Sequence, residues 1–393
     1  MSTGQERRGN WNYPTAIRFG AGRIAELAEA CCGLGMAKPL LVTDPGLKDS
    51  AMVLDAVAAT IKAGLPTGLF ASVRPNPTGQ NVADGVAAFR AGGHDGVIAF
   101  GGGSVLDVAK AIALMAGQRR PIWDFEDRAD WWKRVDESGL APVVAVPTTS
   151  GTGSEVGRVS VITDESGPTK KLIFHPRLMP RLVIADPALT LGLPPHLTAA
   201  TGMDALAHNL EAYCALGFHP MAEGIALEGM RLIKTWLAVA VKDGADLEAR
   251  ANMMAASTMG AAAFQKGLGA IHALSHPVGS LYDAHHGLTN AVFIPYVLAF
   301  NRPAIADKLT ALARYLDMSS PSPEAVIAWT LALRKEIGVP HTLAELGVPE
   351  AGIDKLVPLA EIDQARDGNP RPLSRDDLTL LFEAAWRGEL PRG

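Results

Sequence analysis

Gly96-Val97-Ile98-Ala99-Phe100, then Gly101-Gly102-Gly103-Ser104, then a helical run from Val105 to Met115: this stretch decides the architecture. A short apolar run without polar alternation is a strand buried on both faces. Glycines between such a strand and a helix make a tight turn, where the backbone can approach a ligand and adopt positive φ. The same pattern recurs on either side. Pro39-Leu40-Leu41-Val42-Thr43 is stopped by Asp44-Pro45-Gly46 and followed by helical composition from Ala51 to Ala63. Ala141-Pro142-Val143-Val144-Ala145-Val146 is a third buried run, and Val159 to Thr163 and Arg181 to Ala185 suit further strands. Buried strands alternating with helices predict an α/β domain with a parallel sheet covered on both faces.

Beyond Asp186-Pro187-Ala188-Leu189-Thr190 the character changes. Thr198 to Leu216, Ala222 to Lys242, Leu247 to Gln265 and Ala304 to Tyr315 are rich in alanine and leucine and suit helices. We therefore expect an α/β domain over residues 1–187 and an all-helical domain over residues 188–393.

Composition bounds the function. The 393 residues are 48% hydrophobic and 20% charged, which excludes disorder. A formal charge of −5 argues against a nucleic-acid partner and a basic membrane-surface protein. No apolar stretch is long enough to span a membrane, and the polar start of the chain carries no secretory signal. The three cysteines, Cys31, Cys32 and Cys214, form no CxxC pair, which fits a reducing cytoplasm.

Two loops follow strands of the expected sheet. Gly101 to Ser104 leads into a helix N-terminus, whose free N–H groups and dipole suit a pyrophosphate, with Asp107 in the first turn. Its spacing is not the GxGxxG fingerprint, and a plain strand-to-helix turn explains it equally well. Pro147-Thr148-Thr149-Ser150-Gly151-Thr152-Gly153-Ser154-Glu155 offers hydroxyls to phosphates or a nicotinamide amide, or simply caps. Asp44, at a strand end, can accept from an adenosine ribose and repel a 2′-phosphate, or merely shape a turn before Pro45.

The histidines cluster. Four of ten, His272, His276, His285 and His286, fall within 15 residues. His272 and His276 share a helix face, but Pro277 and Gly279 favour two converging segments over one continuous helix. Asp204 and His208 repeat the i, i+4 spacing. One aspartate with three imidazoles suits a divalent first-row metal with open coordination.

These motifs resemble the iron-dependent, group III alcohol dehydrogenase family, from about Tyr13 to Phe382. The landmarks are Phe19-Gly20-Ala21-Gly22, the triple glycine with Asp107 and Lys110, Thr201-Gly202-Met203-Asp204-Ala205 with His208 and Glu211, His272-x3-His276, and His286-Gly287-Leu288-Thr289-Asn290-Ala291. The resemblance implies a modified Rossmann-like domain followed by an all-α domain, in a dehydroquinate-synthase-like architecture with the active site in the cleft. It implies metal ligands Asp204, His208, His272 and His286, and a catalytic His276 near the nicotinamide. It puts the cofactor on Asp44, Gly101, Gly102, Gly103, Ser104, Asp107, Thr148, Thr149, Thr152 and Lys171. Asp44 matches an acid favouring NAD over NADP. The metal is expected to be Fe(II), with Zn as the alternative because it binds such sites more tightly. The expected reaction passes a hydride between NAD and a small alcohol held as an alkoxide on the metal, or the reverse from its aldehyde. A dehydroquinate-synthase-like lyase is the competing reading, although basic residues do not cluster around the histidines. A homodimer or larger homo-oligomer is implied. His285 is an extra histidine beside the expected ligand, and Gly157 and Val159 stand where many relatives carry larger or polar side chains.

Overall fold

Six short runs pair into one wholly parallel sheet in the computed structural model, which describes residues 15–167 and 169–391. The polar extension, residues 1–12, lies outside them. In chain order the strands are β1 (Ala16–Phe19), β2 (Pro39–Val42), β3 (Gly68–Phe70), β4 (Gly96–Gly101), β5 (Val143–Pro147), β6 (Val159–Asp164), β7 (Thr169–Phe174) and β8 (Leu182–Ala185). The sheet order is β1-β8-β5-β4-β2-β3. Every residue of β2, β4, β5 and β8 is buried, as a sheet covered on both faces demands. Helices α1 (Leu27–Gly33), α2 (Ala51–Lys62), α3 (Gly79–Gly92) and α4 (Gly103–Met115) supply the crossovers.

Of the two later candidate strands, only Leu182–Ala185 joins this sheet. β6 pairs with β7 in a separate antiparallel hairpin, and its alternating burial reflects one covered face. From β2 the chain leaves towards β3, and from β4 towards β5. β2 and β4 are neighbours, so their carboxyl ends flank the point where strand order reverses, the usual ligand crevice of an open α/β sheet.

Among the described residues, contacts divide the chain into two compact units. The α/β unit runs to Gly192 but excludes residues 150–152; these three residues and everything from Leu193 onward form the helical unit. Its helices are α5 (Pro195–Cys214), α6 (Pro220–Lys242), α7 (Leu247–Ala263), α8 (Ala270–Tyr282), α9 (His286–Tyr315), α10 (Pro323–Glu336), α11 (Ile353–Glu361) and α12 (Arg375–Arg387). α5 is buried on nearly every face from Thr198 to Cys214, so it shows little amphipathic pattern.

α9 runs 30 residues through two prolines, Pro295 and Pro303. Pro295 has no N–H, so the Ala291 carbonyl one turn earlier loses its helical donor. Arg334 of α10 supplies it: Nη1 donates to Ala291 O at 3.2 Å and Val292 O at 2.9 Å, with the side chain 1% exposed. Replacing Arg334 by methionine keeps the bulk but removes these donors. A loss of about 2–4 kcal/mol is expected, read as a lower urea midpoint at unchanged slope. An unmoved midpoint would mean those carbonyls do not depend on the guanidinium.

Candidate active site

α5 positions three ionisable side chains by its 3.6-residue repeat. Asp204, His208 and Glu211 stand at i, i+4 and i+7 on one face, all at most 5% exposed. Room for α5 comes from small residues around it. A Cβ on Gly202 would meet Leu237 of α6 at 2.1 Å, and one on Gly229 would meet Asn209 Oδ1 at 2.2 Å. α8 carries His272 and His276 one turn apart and continues through Pro277 to Tyr282. Asp283, at φ 50°, breaks the chain, and α9 begins at His286. Two segments therefore converge, as expected, with the break falling between Tyr282 and His286.

The imidazoles are held from behind. His208 Nδ1 lies 3.3 Å from Gly151 O, His272 Nδ1 lies 2.6 Å from Glu211 Oε2, and His276 Nδ1 lies 2.8 Å from Asp363 Oδ2. A carbonyl or carboxylate at Nδ1 keeps the proton there and leaves Nε2 as the free lone pair. Donor atoms of Asp204, His208 and His272 lie within 4.8 Å of one another, close to twice a metal–ligand bond of about 2.2 Å. His286 joins from the first turn of α9, with Nε2 3.6 Å from Asp204 Oδ1 and its ring 5.3 Å from that of His272. His285 is exposed, one residue before the helix. Gly287 permits this approach: a Cβ there would lie 2.2 Å from Ala200 O of α5.

Burial pushes the His208 imidazole down to about 4, so it is neutral near pH 7 and its lone pair is available. Burial works the same way on His272, but the charge and hydrogen bond of Glu211 outweigh it, and its value is raised. Such a carboxylate also makes the ring a better metal ligand. Glu211 Oε1 meanwhile accepts from Ile271 N at 2.6 Å, fixing the start of α8. Glu211→Gln should weaken divalent-metal affinity about 10–100-fold with the fold intact, measured by competition with a chelator. Unchanged affinity would deny Glu211 this role.

The α/β unit gathers a second set. Asp44 follows β2, Gly101 ends β4, and Thr148 and Thr149 follow β5. Gly101 pairs with Pro147, and Thr148 N donates to Gly101 O at 3.0 Å. None of Gly101, Gly102 and Gly103 has positive φ, contrary to the expectation for this loop. The glycines are needed for space, since a Cβ would meet Val105 at 2.7 Å from Gly101 and Thr149 at 3.3 Å from Gly102. Ser104 stands in the first turn of α4. Asp44 Oδ1 accepts from Gly46 N and Leu47 N at 2.8 and 3.1 Å, leaving Oδ2 outside the turn.

Two expected cofactor residues have protein partners of their own. Asp107 accepts from Ser154 Oγ and Val161 N and pairs with the buried Lys110, so its carboxylate ties α4 to β6. Lys171 pairs with Asp164 at 2.6 Å, holding that carboxyl at about 2, and lies over the Trp123 ring. Trp131 and Trp132 pack against Arg134 and His175. Thr152 belongs to the helical unit with Gly151.

Sequence reasoning gave Glu211 and Asn290 no role and did not single out Asp363. The i+7 step from Asp204 could have found Glu211. Nothing in the spacing links Asp363 to His276, 87 residues away.

The family model "Iron-containing alcohol dehydrogenase" matches residues 14–187, and "Fe-containing alcohol dehydrogenase family, C-terminal" matches residues 198–386. 4-Hydroxybutyrate dehydrogenase of Cupriavidus necator is 40% identical, over 94% of this chain and 98% of its own length. The crystal structure of a 1,3-propanediol oxidoreductase superposes with a TM-score of 0.90 at 35% identity, covering 97% of this chain and all of that one. Sulfoacetaldehyde reductase of Bifidobacterium kashiwanohense, in complex with NAD+, gives 0.87 at 28% identity, covering 96% of this chain and 98% of that one.

Proposed function

The chain belongs to the iron-containing alcohol dehydrogenase family, and from that premise we propose which residues run its NAD-dependent alcohol oxidoreduction. Asp204, His208, His272 and His286 hold one divalent cation, Fe(II) in the cell. The observation that carries this is the anchoring of His208 and His272 through Nδ1, with one donor atom of each within 4.8 Å of an Asp204 oxygen. A cation bound there supplies Lewis acidity, which lowers the pKa of an alcohol hydroxyl and polarises a carbonyl.

His276 handles the proton. Asp363 holds its Nδ1, so Nε2 takes the proton leaving the alcohol and returns it in the reverse direction. On the α/β unit, the Gly101–Ser104 turn and the N-terminus of α4 receive the pyrophosphate of NAD. Thr148, Thr149 and Thr152 serve the nicotinamide side. Asp44 Oδ2 takes the adenosine ribose, and its charge disfavours the 2′-phosphate of NADP. Asp44→Ala should raise the NADP-to-NAD ratio of kcat/KM about tenfold or more, equivalent to about 1.4 kcal/mol, and an unchanged ratio would remove Asp44 from selectivity.

The names of 4-hydroxybutyrate dehydrogenase and 1,3-propanediol oxidoreductase support a short alcohol bearing a second polar group, a diol or a hydroxy acid. The same reading makes the enzyme a cytoplasmic homo-oligomer, with Cys31, Cys32 and Cys214 as thiols. The test is metal-stripped protein reloaded with Fe(II) or Zn(II) and assayed for NADH formation. 1-Butanol, 1,3-propanediol and 4-hydroxybutyrate are the substrates. Turnover should return with metal, Fe(II) above Zn(II), and be fastest with the last two alcohols. Full turnover in stripped protein would overturn the metal's role, and a preference for 1-butanol the substrate class.

A further inference from the structure

α8 begins without a cap of its own. Gly269 precedes it, and side chains from elsewhere take the N–H groups at its start. Glu211 Oε1 holds Ile271 N. Ala270 N donates at 3.2 Å to Oδ1 of Asn369, a buried residue far along the chain. The same Oδ1 accepts from Asn301 Nδ2 at 2.8 Å, and Asn369 Nδ2 donates to Asn301 Oδ1 at 2.9 Å and to Arg371 O at 2.6 Å. The Asn369 carboxamide has one possible orientation here, because a backbone N–H only donates and a backbone carbonyl only accepts. Asn301 stands on α9, so this side chain joins α8, α9 and its own segment. The contact is close: a Cβ on Gly269 would lie 3.0 Å from Asn369 Oδ1, and one on Gly368 would lie 2.1 Å from Leu268 O.

Asn369 closes the short turn Gln364–Gly368 that Asp363 opens. Asp363 Oδ1 accepts from Ala365 N at 2.9 Å and caps the turn, while Oδ2 meets His276 Nδ1. One short segment therefore grips α8 twice, at its first residue and at His276. His272, between the two grips, is held separately by Glu211. We infer that Asn369 is a positioning residue for His276. It pins the start of α8 to the segment that carries Asp363, so the Asp363 carboxylate and the His276 ring keep their register. The inference rests on the reading of His276 as the proton carrier. Because Glu211 holds His272 independently, loss of Asn369 should fall on the proton step and spare the metal ligands.

The test is a double-mutant cycle on the metal-loaded enzyme, oxidising 1,3-propanediol with NAD. Asn369→Ala is made in wild type and in Asp363→Ala. In wild type it should lower kcat about tenfold or more, as expected when a catalytic group is misplaced. Metal content should persist, KM should change about twofold or less for either substrate, and the solvent deuterium isotope effect on kcat should rise. In Asp363→Ala, where the segment no longer grips His276, the further loss should be about twofold or less. Equal losses in both backgrounds, an unchanged kcat, or metal lost in step with activity would overturn the inference. Asn301→Ala, which spares the Ala270 bond, is the milder variant, and the same pattern is expected of it. If neither variant folds at saturating metal, the carboxamide pair only supports the core and the inference falls. His276→Ala with wild-type turnover would overturn the reading of His276 itself; an additive cycle beside an inactive His276→Ala overturns the role of Asn369 alone.

Discussion

Replacing His272 by alanine is expected to leave less than a tenth of the wild-type bound metal and to lower kcat/KM by about 10³-fold or more. A cation stabilising charge on oxygen contributes several kcal/mol, and each 1.36 kcal/mol is tenfold in rate. His272 carries this weight because its two nitrogens have separate tasks. Nδ1 satisfies Glu211, while Nε2 faces Asp204. The substitution removes a donor and leaves Glu211 Oε2 without its imidazole partner in a buried site. NAD binding should survive, since the glycine turn and Asp44 belong to the α/β unit. Elemental analysis, NADH formation and nucleotide titration on one preparation separate these effects. Wild-type turnover without bound metal would end the proposed mechanism; loss of nucleotide binding as well would indicate misfolding.

Gly287→Ala should have a comparable effect from a single methyl group. The added Cβ would lie 2.2 Å from Ala200 O and 2.8 Å from Ala200 C, backbone atoms that cannot rotate away. α9 must therefore retreat from α5, drawing His286 off Asp204. We expect about 1–3 kcal/mol of destabilisation from overpacking and loss of most bound metal. The control is Gly224→Ala, at an exposed position of α6 where nothing lies within 4 Å of the new atom. Less backbone entropy in the unfolded chain should stabilise that variant by about 0.5–1 kcal/mol. If Gly287→Ala kept full metal content, the close approach of α9 would not be what brings His286 to Asp204.

The central strands were legible because burial on both faces leaves an unbroken apolar record, as in Val97 to Phe100. β1, β3 and β7 were not: Ala16–Phe19 is an edge strand carrying Arg18, Gly68–Phe70 has three residues, and Thr169–Phe174 begins with polar side chains on a half-exposed hairpin. Pro277 suggested interrupted helix, yet α8 runs five residues past it and stops at left-handed Asp283. In the candidate site, residues separated by one helical turn could be read as pairs. Those joined only by tertiary folding could not. Asp363 reaches His276, and Gly151 reaches His208, from loops whose local sequence gives no sign of it.

Pro295 and the Arg334 guanidinium form one unit spread over two helices. Restoring a backbone N–H at position 295 would give the Ala291 carbonyl a helical donor and leave the buried cation with one acceptor fewer; removing the cation alone strands that carbonyl. Each change is thus penalised when made alone and less so once the other has been made, and their free energies should be non-additive in a double-mutant cycle. Over evolutionary time, the two positions are expected to drift together or not at all.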